Sequence, residues 1–179
     1  MASQNLLIAQ QQHLSGLLEA VQRCVYFLAT SDRSIPWPLT GDALTQRQKD
    51  NDLFEALAAV NERFSKLQDT LGSAMRHALI LLGEQADSFL KVLSIYEKFG
   101  VVSSVAAWQS ARTARNLAAH DYETDYNLVA EHFNTLHELR IGLMETAGRF
   151  VGYCSDHLAI KPRTENFSAE FNEILGTLK

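Results

Sequence analysis

The chain has 179 residues, of which 46% are hydrophobic and 21% are charged, and this is enough to bury the core of one globular domain. Its formal net charge of −5 argues against a protein that binds nucleic acid through a bulk excess of positive charge. Cys24 and Cys154 lie far apart without a CxxC motif or a Cys/His framework, which favours two reduced thiols over a disulfide or a zinc site. We see no secretory leader, and the most apolar run, residues 78–83, is too short for a membrane span, so we expect a cytoplasmic protein without a membrane contact.

Helical spacing dominates the first half of the chain, and no segment alternates with the period of two that is typical of strands. Apolar residues recur at steps of three and four over residues 4–31, which predicts an amphipathic helix. The stretch SDRSIPWPLTGD breaks this pattern and predicts a loop, which we treat as an insertion at 33–47. A long helix then follows and ends near Gly83, since its apolar positions alternate steps of four and three. Those positions are Leu53, Leu57, Val60, Phe64, Leu67, Leu71, Ala74, Ala78 and Leu81.

The second half of the chain predicts three more helices and a tail. The segment DSFLKVLSIYEKF predicts a short helix that stops at Gly100, where glycine suits a left-handed cap. Ser103 or Ser104 can cap the next helix, which runs towards His120. Thr124 or Asp125 can cap a last long helix, whose apolar stripe continues to about residue 151.

These elements predict an all-α fold, an up-and-down bundle of four to five helices. We assign residues 1–158 to the bundle, with the insertion at 33–47, and residues 159–179 to a linker and a short terminal helix that docks weakly or frays.

The segment ARTARNLAAHDYETD, residues 111–125, places two arginines and then His-Asp-Tyr on a helix of small and apolar residues. At about 100° per residue, Tyr122 returns to nearly the face of Arg115, whereas His120 lies about 140° away. Arg115 and His120 of one straight helix are therefore poorly placed to hold one phosphate. Either the helix deforms near its end, or a second copy of the chain in a two-fold dimer supplies the missing group, with small residues such as Ala114 permitting close approach.

Arginine and histidine together suit the cleavage of a phosphodiester. Arginine holds phosphate through paired hydrogen bonds, and histidine transfers a proton near neutral pH. In RNA the neighbouring 2′-hydroxyl can be the nucleophile, with His120 as general base or acid and Arg115 stabilising the charge on the phosphoryl oxygens. This scheme needs no metal or cofactor, and we find no convincing metal-ligand set. The alternative is an ordinary helix end, with an Arg115–Asp121 surface ion pair and with His120 and Tyr122 as polar edges.

The stretch RNLAAHDY, Arg115 to Tyr122, resembles the Arg-x4-His-x-Tyr signature of HEPN-domain ribonuclease toxins, in particular the HepT-like group that is paired with a minimal nucleotidyltransferase antitoxin. The preceding EKFGVVSSVAAWQSART is similar to the corresponding segment of that family, and the resemblance extends over about residues 53–150. It implies a homodimer in which Arg115 and His120 form the catalytic pair of a metal-independent endoribonuclease that cleaves RNA at the dimer cleft. The nucleotidyltransferase partner would add AMP to Tyr122 and so block the cleft.

Neighbouring residues extend this hypothesis. Asn116 matches a polar position that helps to orient substrate, and Arg112 and Asp121 are further candidates for substrate binding or orientation. Arg112 could equally be solvated or paired with Asp121. Two rival functions stay open: a non-catalytic HEPN bundle that binds a nucleotidyltransferase or a nucleotide, and a plain interaction bundle.

The remaining histidines and tryptophans carry weaker expectations. His132 and His137 suit a metal or a proton relay less well than an ordinary polar role, and His13, His77 and His157 have no companions in the sequence that suggest chemistry. Trp108 is expected in the core rather than as a base-stacking platform. Trp37, between two prolines, is expected to cover the end of the bundle or to contact a partner.

Overall fold

The structure is a computed structural model that describes residues 2–117 and 125–178. Within those ranges the chain is helical without strands, which confirms the all-α prediction. The helices are α1 (Ala2–Arg33), α2 (Gly41–Gln46), α3 (Asn51–Leu81), α4 (Phe89–Lys98), α5 (Val105–Leu117), α6 (Tyr126–Leu158) and α7 (Ser168–Thr177). None of these described helices combines the length and the apolar character that a membrane crossing requires.

The helix ends follow from short polar side chains and from glycine. Asp50 caps α3 by accepting a hydrogen bond from the backbone N–H of Leu53 at 3.1 Å, and Ser104 caps α5 in the same way. Asp125, with its carboxylate 2.9 Å from the N–H of Asn127, caps α6. Gly100 follows α4 with φ of +72°, the left-handed conformation that glycine adopts without a steric penalty.

The insertion at 33–47 is not the continuous loop that the sequence predicts, because it contains helix α2. Thr40 caps α2 by accepting from the N–H of Ala43, and Leu44 is fully buried. The loop before α2 is also fixed, since the side-chain amide of Asn134 on α6 exchanges two hydrogen bonds of 2.8 and 2.9 Å with the backbone of Leu39. A helix of six residues is too short to show the periodicity that predicts longer helices.

The C-terminal tail belongs to the same core as the rest of the chain. Phe171 and Ile174 of α7 are buried, and α7 packs against α1 and α6. The linker before it is held to α1, since Ser15 donates to the carbonyl of Lys161 and the backbone N–H of Arg163 donates to the carbonyl of Ser15. The predicted boundary at residue 158 therefore does not separate two packing units.

The long helices are arranged around α3. Bonds from Arg63 to the carbonyl of Phe27 and from His77 to that of Gln10 show that α1 and α3 are antiparallel. Helix α5 is also antiparallel to α3, because Gln68 bonds to the carbonyl of Trp108 at one end and Arg115 bonds to α3 at the other. One side of α3 thus lies open between α1 and α5.

Candidate functional site

Helix α5 carries a face of three side chains that points towards α3. Trp108, Arg112 and Arg115 recur at steps of four and three, which places them on one side of the helix. They line an open groove of about 600 Å³ between α1, α3 and α5. We call it the arginine groove, and its charged or titratable lining consists of His13, Asp69, Arg76, His77, Arg112 and Arg115.

Arg115 is held in place by α3. Its Nη1 lies 2.8 Å from the carboxylate of Asp69 and donates to the carbonyl of Ser65 at 2.9 Å. The Arg115 side chain is only 13% exposed, whereas that of Asp69 is 66% exposed. Both contacts use Nη1, so the donors on Nε and Nη2 are not taken by the residues that the structure describes. A fixed guanidinium with donors to spare is suited to hold an anion.

Two more arginines reach the same groove without such anchors. Arg76 and Arg112 are exposed, and neither forms an ion pair with any residue of ranges 2–117 and 125–178. The guanidinium of Arg76 lies 5.7 Å from the centre of the Phe89 ring, a cation–π distance that favours one orientation of the side chain. The groove therefore offers positive charge from both α3 and α5.

Two histidines complete this lining, although no sequence pattern connects them. The rings of His13 on α1 and His77 on α3 meet edge to face with centroids 4.7 Å apart. Nε2 of His77 lies 2.9 Å from the carbonyl oxygen of Gln10, and because a carbonyl only accepts, this nitrogen carries the proton. The two residues are far apart in the chain, so only the antiparallel packing of α1 on α3 brings them together.

An aromatic layer supports the groove beside α3. Trp108 is 5% exposed, which agrees with its expected place in the core, and its carbonyl accepts from buried Gln68 at 3.0 Å. A Cβ at Gly72 would lie 3.1 Å from the Phe89 ring and 3.9 Å from Trp108. Glycine at this position therefore lets both aromatic rings approach the helix closely.

The candidates predicted from the sequence are only partly described. Arg112 and Arg115 lie together in the arginine groove, while Asn116 is exposed and does not line it. His120, Asp121 and Tyr122 lie outside the described residues. Ala114, expected to permit close approach of a second copy, is 7% exposed within the single chain.

At the other end of the helices, His137 takes part in a buried ionic cluster instead of a metal site. Nδ1 of His137 lies 2.7 Å from one carboxylate oxygen of Asp32, and Nε of Arg140 lies 2.7 Å from the other. Asp32 is nearly fully buried. Trp37 stacks on the His137 ring at 4.2 Å and donates from Nε1 to the carbonyl of Asp32 at 2.8 Å. Trp37 thus covers this cluster within the chain. Among the described residues, no three His, Cys, Asp or Glu side chains are placed to hold a metal ion.

No family model, curated protein or solved structure matches this chain. The chemistry of the arginine groove is therefore inferred from its own side chains. Three arginines face one carboxylate there, with two imidazoles alongside. Such a lining attracts phosphate esters, binds them through charge-assisted hydrogen bonds and supplies groups that can transfer protons.

Proposed function

We propose that this protein is a HEPN-like helical bundle that acts as a metal-independent endoribonuclease, with the arginine groove as part of its RNA site. The observation that carries the proposal is the position of Arg115, anchored by Asp69 inside a groove that Arg76 and Arg112 also line. His120 follows the end of α5 by three residues in the sequence.

Cleavage would proceed by attack of the RNA 2′-hydroxyl on the adjacent phosphorus. The bond from the 2′-oxygen to phosphorus forms as the bond from phosphorus to the 5′-oxygen breaks, which leaves a 2′,3′-cyclic phosphate and a 5′-hydroxyl. The 2′-hydroxyl loses its proton to a base and the leaving oxygen gains one from an acid, and His120 would perform one of these transfers. Arg115 would neutralise the charge that grows on the non-bridging oxygens.

A homodimer would supply the second proton-transfer group, since each copy brings its own His120. In this arrangement Asn116 and Asp121 would orient the RNA, and Arg112 would bind a neighbouring phosphate. A cognate nucleotidyltransferase would silence the site by adding AMP to Tyr122, because the added phosphate repels RNA and the nucleotide fills the cleft. The pair would then act as toxin and antitoxin.

One observation favours a second function, a non-catalytic subunit that binds a nucleotidyltransferase or a nucleotide. Asp69, 2.8 Å away, offsets part of the charge of Arg115, which weakens its stabilisation of the charge that grows during cleavage, while its hydrogen bonds can still hold a phosphate. This alternative retains the groove and the dimer but assigns no proton transfer to His120.

The experiment that separates the two functions is cleavage of a labelled structured RNA in EDTA. Wild type, His120→Ala and His157→Ala are prepared identically; His157 is exposed and lies outside the groove, so it serves as the matched histidine control. Ribonuclease function predicts cleavage by wild type and by His157→Ala, with loss in His120→Ala. Absence of cleavage in all three, after mass spectrometry shows that Tyr122 is unmodified, favours the binding subunit.

A further inference from the structure

A second open groove, of about 460 Å³, lies between α1 and α3. Its charged lining is Arg23, Glu62, Arg63 and Lys66, and Phe27 lies among these side chains. We call it the Phe27 groove. None of these residues belongs to the sequence motif from which the ribonuclease site is argued.

Both arginines of this groove are positioned over the Phe27 ring. The guanidinium carbon of Arg23 lies 5.7 Å from the ring centroid, and that of Arg63 lies 5.3 Å away. Arg63 is fixed further, because Nη1 donates to the carbonyl of Phe27 at 3.0 Å and also to the hydroxyl of Ser31. Such preorganised guanidinium groups lose less conformational entropy when they bind an anion.

Arg23 and Lys66 remain available to a ligand. Both are exposed, and neither forms an ion pair with a residue in the described part of the chain. Burial raises the pKa of the Cys24 thiol in the same groove; its hydrogen bond with Thr70 and the charges of Lys66 and Arg23 lower it, and the charge of Glu62 raises it. Three cationic side chains and one carboxylate, Glu62, line the groove, so its lining is positive on balance.

The Phe27 groove and the arginine groove lie end to end on one side of the α1–α3 pair. On α3, Ser73 of the arginine groove follows Lys66 of the Phe27 groove by seven residues, which is about two turns, and Arg76 follows Ser73 by three. These side chains therefore share one face of the helix. On α1, His13 and Leu17 line one groove, and the same face continues through Ala20 and Phe27 into the other. From Lys66 to Arg76 the distance along the helix axis is about 15 Å.

Charge sets this side of the molecule apart from the rest. Six arginine or lysine side chains and two carboxylates line the two grooves, although the whole chain has a formal charge of −5. We propose that the Phe27 groove binds the phosphates of the RNA segment that flanks the segment held in the arginine groove. The identity of this ligand rests on the proposed ribonuclease function, whereas the existence of the groove does not.

Recognition in the Phe27 groove is electrostatic and independent of base sequence. Guanidinium groups lie against the Phe27 ring, so the ring orients cations instead of stacking on bases. Arg23 and Lys66 each present a charge that suits one phosphate. Binding through such contacts weakens steeply as the salt concentration rises, because the release of counterions then contributes less free energy. The bound RNA is single-stranded, because a single strand can follow a groove along the helix pair.

The test measures binding of a labelled 12-nucleotide single-stranded RNA by fluorescence anisotropy in EDTA. The full chain carries His120→Ala so that the RNA stays intact. The double variant Arg23→Ala/Lys66→Ala is compared with Arg33→Ala/Lys98→Ala, which removes the same two charges from exposed positions outside both grooves. We expect about tenfold weaker binding for the first pair only, and a slope of log K against log salt that is smaller by about 1.4 for two lost phosphate contacts.

Equal affinity of the two double variants, or an unchanged salt slope, would overturn the inference. Lys66→Ala alone repeats the test without disturbing the contact of Arg23 with Phe27, and should weaken binding about threefold. Tighter binding of a polyglutamate peptide than of RNA would also overturn it, in favour of an acidic protein partner.

Parallel cleavage by the unmutated chain distinguishes the failure of this inference from that of the proposed function. Cleavage with no effect of Arg23→Ala/Lys66→Ala on binding rejects the Phe27 groove alone. Weakened binding in that variant, with no cleavage by the unmutated chain, keeps the groove as an RNA-binding surface and rejects the ribonuclease.

Discussion

The carboxylate of Asp69 lies 2.8 Å from Nη1 of Arg115, and this pair joins the middle of α3 to the end of α5. Asp69 is five times as exposed as its partner, at 66% against 13%, so the pair is open to solvent on the carboxylate side. A phosphate that enters the groove meets Arg115 already oriented, but it also meets the negative charge of Asp69. Asp69 therefore has two opposing effects: it positions Arg115, and its negative charge weakens the binding of a phosphate.

Asp69→Asn should separate those two effects. The amide removes the negative charge, so we expect KM for RNA to fall a few-fold, while weaker anchoring of Arg115 lowers kcat about tenfold, equivalent to about 1.4 kcal/mol. Steady-state cleavage of a labelled RNA measures both constants. Asp156→Asn, an exposed aspartate on α6, is the control and should change neither. A kcat at the wild-type value would show that Asp69 does not position Arg115.

Arg112→Ala should affect binding more than turnover. Arg112 is exposed and lacks an anchor among the described residues, so it contributes charge without fixed geometry. We expect KM for RNA to rise about tenfold with kcat within twofold of wild type. Arg112→Lys should restore most of the affinity, because a single charge on a flexible chain is enough for this contact. A fall in kcat with unchanged KM would instead place Arg112 at the reacting phosphate.

Asp32→Ala should strongly destabilise the fold without altering the RNA site. The substitution leaves Arg140 and His137 without the carboxylate that each contacts at 2.7 Å, and burial already lowers the pKa of Arg140 against the opposing effect of Asp32. Removal of one member of a buried ion pair typically costs about 3–5 kcal/mol. Urea unfolding monitored by circular dichroism measures the loss.

Trp37→Phe is the milder companion to that variant. It keeps an aromatic ring against His137 but removes the hydrogen bond to the Asp32 carbonyl, which predicts a loss of about 1 kcal/mol. If Asp32→Ala lost no more free energy of unfolding than Trp37→Phe, the cluster would not stabilise the fold as described.

The free energy of unfolding should fall at alkaline pH because of a buried thiol. Cys154 is fully buried, and burial raises its pKa from 9.0 to about 12. Because the pKa is raised in the folded state, the contribution of this thiol to the free energy of unfolding is complete below pH 9 and is lost as the pH rises towards 12. The slope attributable to Cys154 is about 1.4 kcal/mol per pH unit in that window.

Urea unfolding at pH 7, 9 and 10.5 tests this dependence in wild type and in Cys154→Ala. The alanine variant is less stable at pH 7, because it leaves a cavity, but its stability should fall less between pH 9 and 10.5. Parallel pH dependence of the two proteins would count against the buried thiol as its source. Buried Tyr96 also has a raised pKa, chiefly through burial and secondly through the charge of Cys154, and the second effect is absent in Cys154→Ala.

The long helices were predictable because each buries a continuous apolar stripe. The steps of four and three from Leu53 to Leu81 predicted the extent of α3, and Gly100 adopts the positive φ expected of it. Helix α2 escaped prediction because it is held by burial of Leu44, and the loop before it is held by Asn134 on a distant helix; neither contributes a local pattern.

The site was predictable only on the helix that carries the motif. The spacing of Arg112 and Arg115 placed them close together, and the structure brings both into one groove. Asp69, His13 and His77 join them through the packing of α1 and α5 on α3, which no local pattern of the sequence encodes. Contacts of this kind, between residues far apart in the chain, become known only from the tertiary structure.

The most direct test of the arginine groove as the catalytic site is single-turnover cleavage of a labelled RNA in EDTA by Arg115→Ala, with Arg33→Ala as the matched control. We predict that Arg115→Ala cleaves at least a hundredfold more slowly than wild type and that Arg115→Lys recovers little, because lysine cannot form the same pair of hydrogen bonds. Arg33→Ala, at the exposed end of α1, should cleave like wild type. Cleavage by Arg115→Ala at the wild-type rate would contradict the assignment.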